Sequence, residues 1–396
     1  MMSSKAKSPI KRYLVNVALA MTAIVLCLIL GEGLARLLLN PGDYLAPALL
    51  TDQALERKIK PHSAGHDAWG FRNDAVPSKA DIVVIGDSQS YGVNAFAGDS
   101  WPAVLKKLAE KEVYNMSQGG YGTVQYYYLL KNQAIILRPE LVVVGLYLGN
   151  DLIETYYMVH DHDYWKSLRK SETSTTDDDF VQKKPVVAEP IDKPFFLGSL
   201  RFWLSEHSII YRLLIHAFEE QMRLLEMKYH LGHDTIISVL DDSDNNLYTG
   251  FTPARRLLAL DLTDPRVREG YEITLELLKE MNEFCSERGI KFVIMLIPSK
   301  ESVYSRYIED NDAMEYSELI DRVIACEREV NGLLKQYFAD NDILFLDLLE
   351  PLQSALGQAR IYPKNQDDHM NKSGYEIIAR VFQKYLEGKN HYGDQP

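Results

Sequence analysis

Five short apolar runs, rich in β-branched residues, follow one another along the chain after residue 81. They occupy residues 82–85, 113–115, 141–147, 291–297 and 343–346. Continuous apolar runs of this length are typical of strands that are buried on both faces, as in a parallel sheet. The pattern therefore predicts a parallel sheet built from these runs.

Segments with helical periodicity separate the runs, at residues 101–111, 124–137, 267–288, 316–338 and 373–386. Ser100 and Pro102 mark a helix start, and Gly289 marks a helix end. Residues 373–376 read Ser-Gly-Tyr-Glu, a capping box that predicts where the last helix opens. Alternating strands and helices predict an α/β fold with a flavodoxin-like, doubly wound parallel sheet in three layers. Ligands of such folds bind at the carboxyl ends of the strands.

The first apolar run of the chain is longer than the others and covers residues 13–31, with Asn16 as its clearest polar interruption. About 20 apolar residues span a bilayer as a helix. Because four basic residues and no acidic one precede the run, we expect a cytoplasmic tail over 1–12, a transmembrane anchor over 13–31 and an exported body. The alternatives fit less well. The apolar core is long for a cleaved signal peptide. A lipoprotein signal needs a small residue before its cysteine, but Leu26 precedes Cys27. A buried helix of a soluble protein does not suit the basic residues before the run.

Charge and cysteine content narrow the classes further. The 396 residues carry a net charge of −13, and the body beyond residue 12 carries −17. A surface that acidic does not suit nucleic acid, which binds to basic surfaces. At 46% hydrophobic residues the chain has the composition of a globular protein. Outside the anchor, Cys285 and Cys326 allow one disulfide at most, and two buried thiols are the favoured interpretation.

Two segments interrupt the strand–helix pattern. Residues 32–80 are polar and contain prolines, which predicts a linker and a lead-in to the first part of the domain at 81–151. Residues 152–262 are acidic or Pro-containing in some stretches and amphipathic in others. They predict a partly helical insertion that acts as a lid or an acceptor surface, before the second part of the domain at 263–390.

The insertion contains aromatic residues that suit either sugar stacking or its own core: Tyr164, Trp165, Phe195, Phe196 and Trp203. It also contains His160 and His162, two positions apart. Because this is not the helical i,i+4 spacing and no cysteine is near, we favour a solvated loop and predict no metal site.

Short polar motifs follow the first three predicted strands. Ser88 ends the motif Gly-Asp-Ser, and a serine at a strand-to-helix turn is exposed with its backbone N–H directed into the site. The glycine-rich stretch 119–123 lets the backbone approach a substrate and donate a second N–H. Asn150 follows the third strand, where its side chain can supply a third donor. Each motif alone is also an ordinary turn or cap.

A histidine stands just before the last predicted helix, in the run 367–371 (Asp-Asp-His-Met-Asn). His369 can act as a general base there if a carboxylate orients it. Adjacent side chains point apart, so Asp367 is a better partner than Asp368.

The order serine, glycine, asparagine and aspartate–histidine resembles the SGNH (GDSL-type) hydrolase superfamily over about residues 82–151 and 290–387. The resemblance implies the SGNH hydrolase fold and acyl-ester chemistry without a cofactor or a metal. By motif match, Ser88 is the nucleophile, His369 the base and Asp367 its orienting carboxylate. The implied oxyanion hole consists of the Ser88 N–H, the Gly120 N–H and the Asn150 side chain, with Gly120 chosen over Gly119 because it lies five residues past Asn115.

Two features resemble one branch of that superfamily, which contains alginate-type O-acetyltransferases. The aspartate stands two residues before the histidine, whereas Gln366 occupies the commoner position three residues before it. Residues 297–304 resemble the branch's Pro-x-Lys-Glu/Ala-x-x-Tyr segment. Leu148 replaces the first glycine of the asparagine block, which leaves the donor itself in place.

Three other residues have less definite roles. Residues 67–72 resemble a lead-in of anchored members, in which Arg72 is interpreted as a salt-bridge partner. Lys300 and Tyr121 are candidate substrate contacts, and Lys300 has pairing with a carboxylate as its alternative.

The leading hypothesis is a single-pass protein of a bacterial inner membrane, with its body on the periplasmic side. It acts as a serine esterase or O-acetyltransferase on acetyl esters of a polysaccharide, in contact with polysaccharide-synthesis machinery. An esterase or lipase for small or lipid-like esters is the second hypothesis. A non-catalytic component that binds polysaccharide or assembles a synthesis complex is the third.

Overall fold

The computed structural model describes residues 9–170, 198–229, 237–242, 247–309 and 317–388. Its strands are β1 Leu49–Asp52, β2 Glu56–Ile59, β3 Ile82–Gly86, β4 Val113–Asn115, β5 Leu141–Tyr147, β6 Ser238–Asp242, β7 Leu247–Phe251, β8 Lys291–Ile297 and β9 Leu344–Asp347. Its α-helices are α1 Pro9–Leu38, α2 Pro41–Tyr44, α3 Ser88–Tyr91, α4 Trp101–Ala109, α5 Thr123–Asn132, α6 Asp151–Asp161, α7 Gly198–His207, α8 Ile209–Tyr229, α9 Pro253–Leu260, α10 Pro265–Ser286, α11 Lys300–Glu309, α12 Ser317–Asp340, α13 Leu349–Ala355 and α14 Lys372–Leu386. Short 3-10 turns lie at Ser63–Gly65, Ala97–Asp99, Ala134–Leu137 and Asp163–Leu168.

The five runs singled out in the sequence form one sheet in the order β4-β3-β5-β8-β9, and every neighbouring pair is parallel. This is the flavodoxin-like order: β4 lies on one side of β3, and the later strands β5, β8 and β9 are added on the other side, so that the order of addition reverses between β3 and β5. The predicted α/β fold is confirmed. The last strand runs one residue later than predicted, to Asp347.

Alternate residues of the central strands face two separate cores. Val83 and Ile85 of β3 pack with α5, α10 and α12, whereas Ile82 and Val84 pack with α4, α11, α13 and α14. Burial on both faces is the physical reason that these strands lack a polar alternation. The result is three layers, with the carboxyl ends of the strands at one edge.

The last helix has a different cap from the one predicted. Asn371 rather than Ser373 precedes α14, and its side-chain oxygen accepts hydrogen bonds from the backbone N–H of Ser373 (2.9 Å) and Gly374 (3.3 Å). Asparagine is as good an N-cap as serine, so the two starts could not be separated by residue type alone. Ser100 does precede α4, but its hydroxyl donates to the Ala97 carbonyl instead of capping.

The segment between the anchor and the sheet is more ordered than the expected linker. It contains α2 and the antiparallel hairpin of β1 and β2. Arg72 donates to the carbonyls of Gly92 (3.0 Å) and Ala95 (3.1 Å) and pairs with Asp43 (3.3 Å). Since Gly92 ends α3, this lead-in fastens the turn that carries Ser88.

The insertion over 152–262 contains α7, α8, α9 and the antiparallel hairpin of β6 and β7. His160 does not lie in a solvated loop: it is in α6, with its side chain 7% exposed, and its Nε2 lies 2.9 Å from Glu269 Oε1. Trp165 is buried and donates to the Ala54 carbonyl, whereas Tyr164 and Trp203 are each 53% exposed. Phe195, Phe196 and the acidic and Pro-containing stretches over 171–197 lie outside the described residues.

The N-terminal helix α1 is the element expected to cross a membrane. Among the described residues, one helix is long and apolar enough to do so, the stretch Arg12–Leu38. The helix thus continues seven residues beyond the predicted end of the span at residue 31. Cys27, Cys285 and Cys326 are all free thiols, so no disulfide joins the second and third.

Candidate active site

Ser88 lies at a tight turn between the inner strand β3 and the short helix α3. Asp87 caps α3 through the Gln89 N–H (2.9 Å), which fixes the start of the helix and leaves Ser88 as its first residue. Two glycines let α3 sit close to the sheet. A Cβ on Gly86 would lie 2.5 Å from Ser90 Oγ, and one on Gly145 would lie 2.3 Å from the same atom. The sheet therefore has no room for a side chain at either glycine beneath α3.

This crowding predicts that Gly86→Ala displaces α3 while the fold remains. Rotation of the Ser90 side chain cannot relieve the contact, because the new methyl carbon would also lie 2.7 Å from Ser90 Cβ, which rotation does not move. Displacing a nucleophile by about 1 Å costs on the order of 100-fold in rate, and we expect that loss in kcat for an acetyl ester. Gly332→Ala is the control, because no atom lies within 4 Å of that Cβ position. Unchanged kcat in the Gly86 variant would contradict the packing argument.

The Ser88 hydroxyl donates to Asp87 Oδ2 at 3.1 Å, and it makes no hydrogen bond with His369 in the structure. Asp87 is buried, and that burial raises the pKa of its carboxyl to about 6. Hydrogen bonds between a nucleophile and its base are often long in unliganded enzymes and tighten with substrate. In this structure the Ser88 hydroxyl is thus directed at Asp87 and not at His369.

Asp367 and His369 form a close pair on the loop before α14. Asp367 Oδ1 lies 2.7 Å from His369 Nδ1 and also accepts the His369 backbone N–H at 3.0 Å, whereas Asp368 Oδ1 is 3.6 Å from the same ring nitrogen. Burial raises the pKa of the Asp367 carboxyl, but the hydrogen bonds and charge of His369, with the charge of Arg223, outweigh burial and hold the pKa well below its usual range. Asp367 is thus ionised while it holds the imidazole.

Three side chains hold this loop in place with four hydrogen bonds. Gln89 Nε2 donates to the Asp368 carbonyl (3.0 Å), and Asn94 Nδ2 donates to the His369 carbonyl (3.2 Å). Lys300, the first residue of α11, donates to the carbonyls of Asn365 (3.0 Å) and Asp367 (2.9 Å). Gln89 and Asn94 follow Ser88 closely in the chain, so the serine and histidine segments are joined directly.

Burial affects the protonation of Lys300, which is 1% exposed, and lowers its pKa to about 7. In the unfolded chain a lysine keeps its proton up to about pH 10. Between these values the unfolded state binds more protons than the folded state, so stability contributed by this residue rises with pH. We expect Lys300→Met to remove part of the rise in unfolding free energy between pH 7 and 9, measured by urea denaturation. The same substitution at exposed Lys106 should leave the slope unchanged, and equal slopes for wild type and the Lys300 variant would contradict the argument.

The three motifs after β3, β4 and β5 meet at one edge of the sheet. A Cβ on Gly119 would lie 3.6 Å from Ser88 Cβ, and Gly120 has φ of +77°, a conformation that favours glycine. Asn150 precedes α6, but its side chain makes no cap bond, and its buried Oδ1 has no hydrogen-bond partner among the described residues. The amide is therefore not used to cap α6. Tyr121, 1% exposed, donates to the Arg57 carbonyl at 2.9 Å.

Sequence reasoning missed two arginines of the insertion. Arg256 of α9 is buried, donates to the Gly149 carbonyl (2.6 Å) and pairs with Asp368 Oδ2. Arg223 of α8 donates to Asp367 Oδ2 at 2.9 Å. No local pattern marks either residue, since their partners lie more than 100 positions away in the chain.

Asp367, Asp368 and His369 offer ligand atoms within 4.8 Å of one another, a spacing that also suits a metal ion. Here each carboxylate already faces a guanidinium, from Arg223 and Arg256 respectively. The cluster is therefore explained by charge pairing within the protein.

No family model and no curated protein matches the sequence. Solved structures that resemble the fold include a protein described as lipolytic and of the G-D-S-L family from Desulfitobacterium hafniense, at 13% identity and a TM-score of 0.37, over 78% of this chain and 99% of the other. A catalytic mutant of an acetylxylan esterase from Geobacillus stearothermophilus is 12% identical with a TM-score of 0.38, over 78% and 95%. A GDSL-like lipase from Bacteroides thetaiotaomicron is 10% identical with a TM-score of 0.34, over 78% and 88%.

Likenesses at this level say nothing of the substrate. The chain's own features are the sheet order β4-β3-β5-β8-β9, the position of Ser88 after β3, and the Asp367–His369 pair held against the helix that Ser88 begins. The resemblance of this chain to the SGNH (GDSL-type) hydrolase superfamily is carried by these residues and by the order of the strands that place them.

Proposed function

We propose that this chain is a membrane-anchored serine esterase or O-acetyltransferase that forms an acyl-Ser88 intermediate. The observation that carries the proposal is the ionised Asp367 at 2.7 Å from His369, on a loop fastened to the helix of Ser88. A histidine oriented in this way can accept a hydroxyl proton and later return it. No part of this step needs a cofactor.

In the proposed reaction, His369 takes the Ser88 proton as the hydroxyl oxygen attacks the acyl carbon. The oxyanion accepts hydrogen bonds from the Ser88 N–H, the Gly120 N–H and the Asn150 amide. Loss of one such donor typically raises the barrier by about 2.7–4 kcal/mol. His369 then gives its proton to the leaving alcohol, and a water or a sugar hydroxyl attacks the acyl-serine in the second half.

An acetylated polysaccharide is the proposed substrate, outside the inner membrane of a bacterium. Two observations support this choice: α1 can hold the body at a membrane, and Tyr164 and Trp203 expose aromatic rings that suit sugar stacking. Hydrolysis and transfer share every group described above and differ in whether water or a second hydroxyl reaches the acyl-serine. Contact with polysaccharide-synthesis machinery would supply an acetyl donor for transfer.

The test uses the full chain in detergent micelles with p-nitrophenyl acetate, with and without an acetylatable oligosaccharide. We expect turnover by the wild type and none above background by Ser88→Ala. Mass spectrometry of the oligosaccharide separates the two reactions. Transfer adds acetyl groups to the oligosaccharide, whereas hydrolysis gives free acetate alone. Equal turnover by wild type and Ser88→Ala would overturn the proposed mechanism.

A further inference from the structure

The insertion helix α8 begins at the end of the anchor helix. The Glu32 carboxylate accepts hydrogen bonds from Ser208 Oγ (2.9 Å) and from the N–H groups of Ile209 (3.1 Å) and Ile210 (3.2 Å). These N–H groups lie in the first turn of α8, where a helix favours a negative charge. Glu32 thus caps α8, although it belongs to an element about 180 positions earlier in the chain.

Arg36, one turn beyond Glu32, completes the joint. It donates to Glu32 Oε1 at 2.9 Å and to the carbonyl of His207, the last residue of α7. The Arg36 guanidinium thus lies at the carbonyl end of α7, and the Glu32 carboxylate lies at the N–H end of α8. Each charge is favourable for the dipole of the helix end that it contacts. Farther along, Arg212 donates to the Tyr44 carbonyl at 3.1 Å. The segment leaving the anchor therefore fixes the start of α8 at several points.

The other part of the same helix reaches the active site. Arg223 Nη1 lies 2.9 Å from Asp367 Oδ2, while Asp367 Oδ1 holds His369. The stretch from Ile209 to Arg223 is a single uninterrupted helix. At about 1.5 Å per residue it covers roughly 21 Å. One rigid element thus connects the anchor joint to the carboxylate that orients the base.

We propose that Arg223 is a positioning residue for the Asp367–His369 pair and that the Glu32 cap on α8 sets its place. The guanidinium occupies Oδ2 and so leaves Oδ1 directed at the imidazole. This inference rests on the proposed function, because it gives the membrane anchor a role in the geometry of the same site. It also gives the insertion a role in orienting His369 through Asp367.

The charges around His369 determine the sign of the expected effect. The negative groups near it are Asp367, Asp368 at 3.6 Å and the buried Asp87; the positive ones are Arg223, Arg256 and Lys300, each bonded to a residue or carbonyl of the loop. Removal of Arg223 takes away one positive charge from beside Asp367. The imidazolium should then persist to higher pH.

Arg223→Gln is the first variant, in the full chain in detergent micelles. The Arg223 side chain is 47% exposed, and an ion pair so open to water adds little to stability, so the variant should fold. We expect kcat to fall about tenfold with KM nearly unchanged, and the acid limb of kcat against pH to move upward by several tenths of a unit. Arg223→Lys should restore the position of the limb by keeping the charge. Arg201→Gln is the control. Arg201 lies on α7 and bonds only Tyr211 among its described contacts, so this substitution should change neither kcat nor the position of the acid limb.

Glu32→Gln tests the connection to the anchor. We expect a shift in the same direction but smaller, and a double variant with Arg223→Gln no worse than Arg223→Gln alone, because both act through one helix. Fully additive losses would overturn the role of the cap. An unmoved acid limb in Arg223→Gln, with kcat within twofold of wild type, would overturn the positioning role.

A second readout keeps this inference separate from the proposed function. In protein labelled with ¹⁵N-histidine, and assigned with a His369→Gln variant, the pH at which the His369 ring resonances titrate should move upward in Arg223→Gln. That measurement needs no turnover. If Ser88-dependent turnover were absent but this shift appeared, the proposed function would fail and the positioning role would hold; no shift would reject the positioning role whatever the activity.

Discussion

Asp367→Asn is expected to lower kcat for an acetyl ester by about 10³–10⁴-fold, because the neutral amide can neither hold the correct imidazole tautomer nor stabilise the imidazolium. The ring nitrogen that Asp367 now holds at 2.7 Å would meet an amide of the same shape but without the charge. KM should change little, since the residue faces the base and not the substrate. Steady-state kinetics at pH 7–8 measure the effect.

The same variant has a signature in stability. The pKa of Asp367 is depressed in the fold, so its contribution is present above the unfolded pKa near 4 and is lost as the pH falls below it. We expect Asp367→Asn to be less stable than wild type at pH 7 and to lose less on acidification from pH 5 to 3. Urea denaturation at these values gives both quantities.

Asp368→Asn is the matched control, one residue away on the same loop. Its carboxylate faces Arg256 and the Tyr147 hydroxyl (2.9 Å), so its loss should affect stability much more than kcat or the tautomer of His369. A larger fall in kcat for Asp368→Asn than for Asp367→Asn would reverse the assignment of the orienting carboxylate.

The sequence was sufficient to predict the sheet and the order of motifs along it. Apolar runs buried on two faces leave a pattern that needs no knowledge of distant partners, and the strand bounds at 113–115, 141–147 and 291–297 match the structure. The placement of Ser88 follows from the same reasoning, because a residue after a parallel strand lies at the carboxyl edge. The choice of Asp367 over Asp368 follows from the alternation of side chains along an extended chain.

What the sequence did not predict depends on contacts between distant segments. The sequence suggests a substrate contact or an ion-pair partner for Lys300, whereas in the structure its buried ammonium group donates to two carbonyls. Arg256 and Arg223 lie in the insertion, where neither a strand end nor a motif marks them. Their partners, the Gly149 carbonyl and the carboxylates of Asp367 and Asp368, come together only when the fold places the loop before α14 beside the end of β5.

Arg256→Met is expected to lower the free energy of unfolding by about 3–5 kcal/mol, the usual cost of leaving a buried charge without its partner. The Arg256 side chain is 3% exposed, pairs with Asp368 and lies 3.9 Å from the buried carboxylate of Glu301. It also donates to the Gly149 carbonyl, next to Asn150, so the variant should lose activity as well. Thermal and urea denaturation measure the loss.

The double variant Arg256→Met/Asp368→Asn separates the charge from the packing. If the cost comes from the uncompensated carboxylate, neutralising Asp368 should recover more than half of the lost stability, because a buried pair replaced by neutral groups is often tolerated. Activity should recover less than stability, because the hydrogen bond to the Gly149 carbonyl, next to Asn150, is still missing. A double variant no more stable than Arg256→Met would instead mean that the guanidinium stabilises the fold through its other neighbours. These are the Glu301 carboxylate at 3.9 Å, the Gly149 carbonyl and the Tyr147 ring, over which it lies at 5.6 Å.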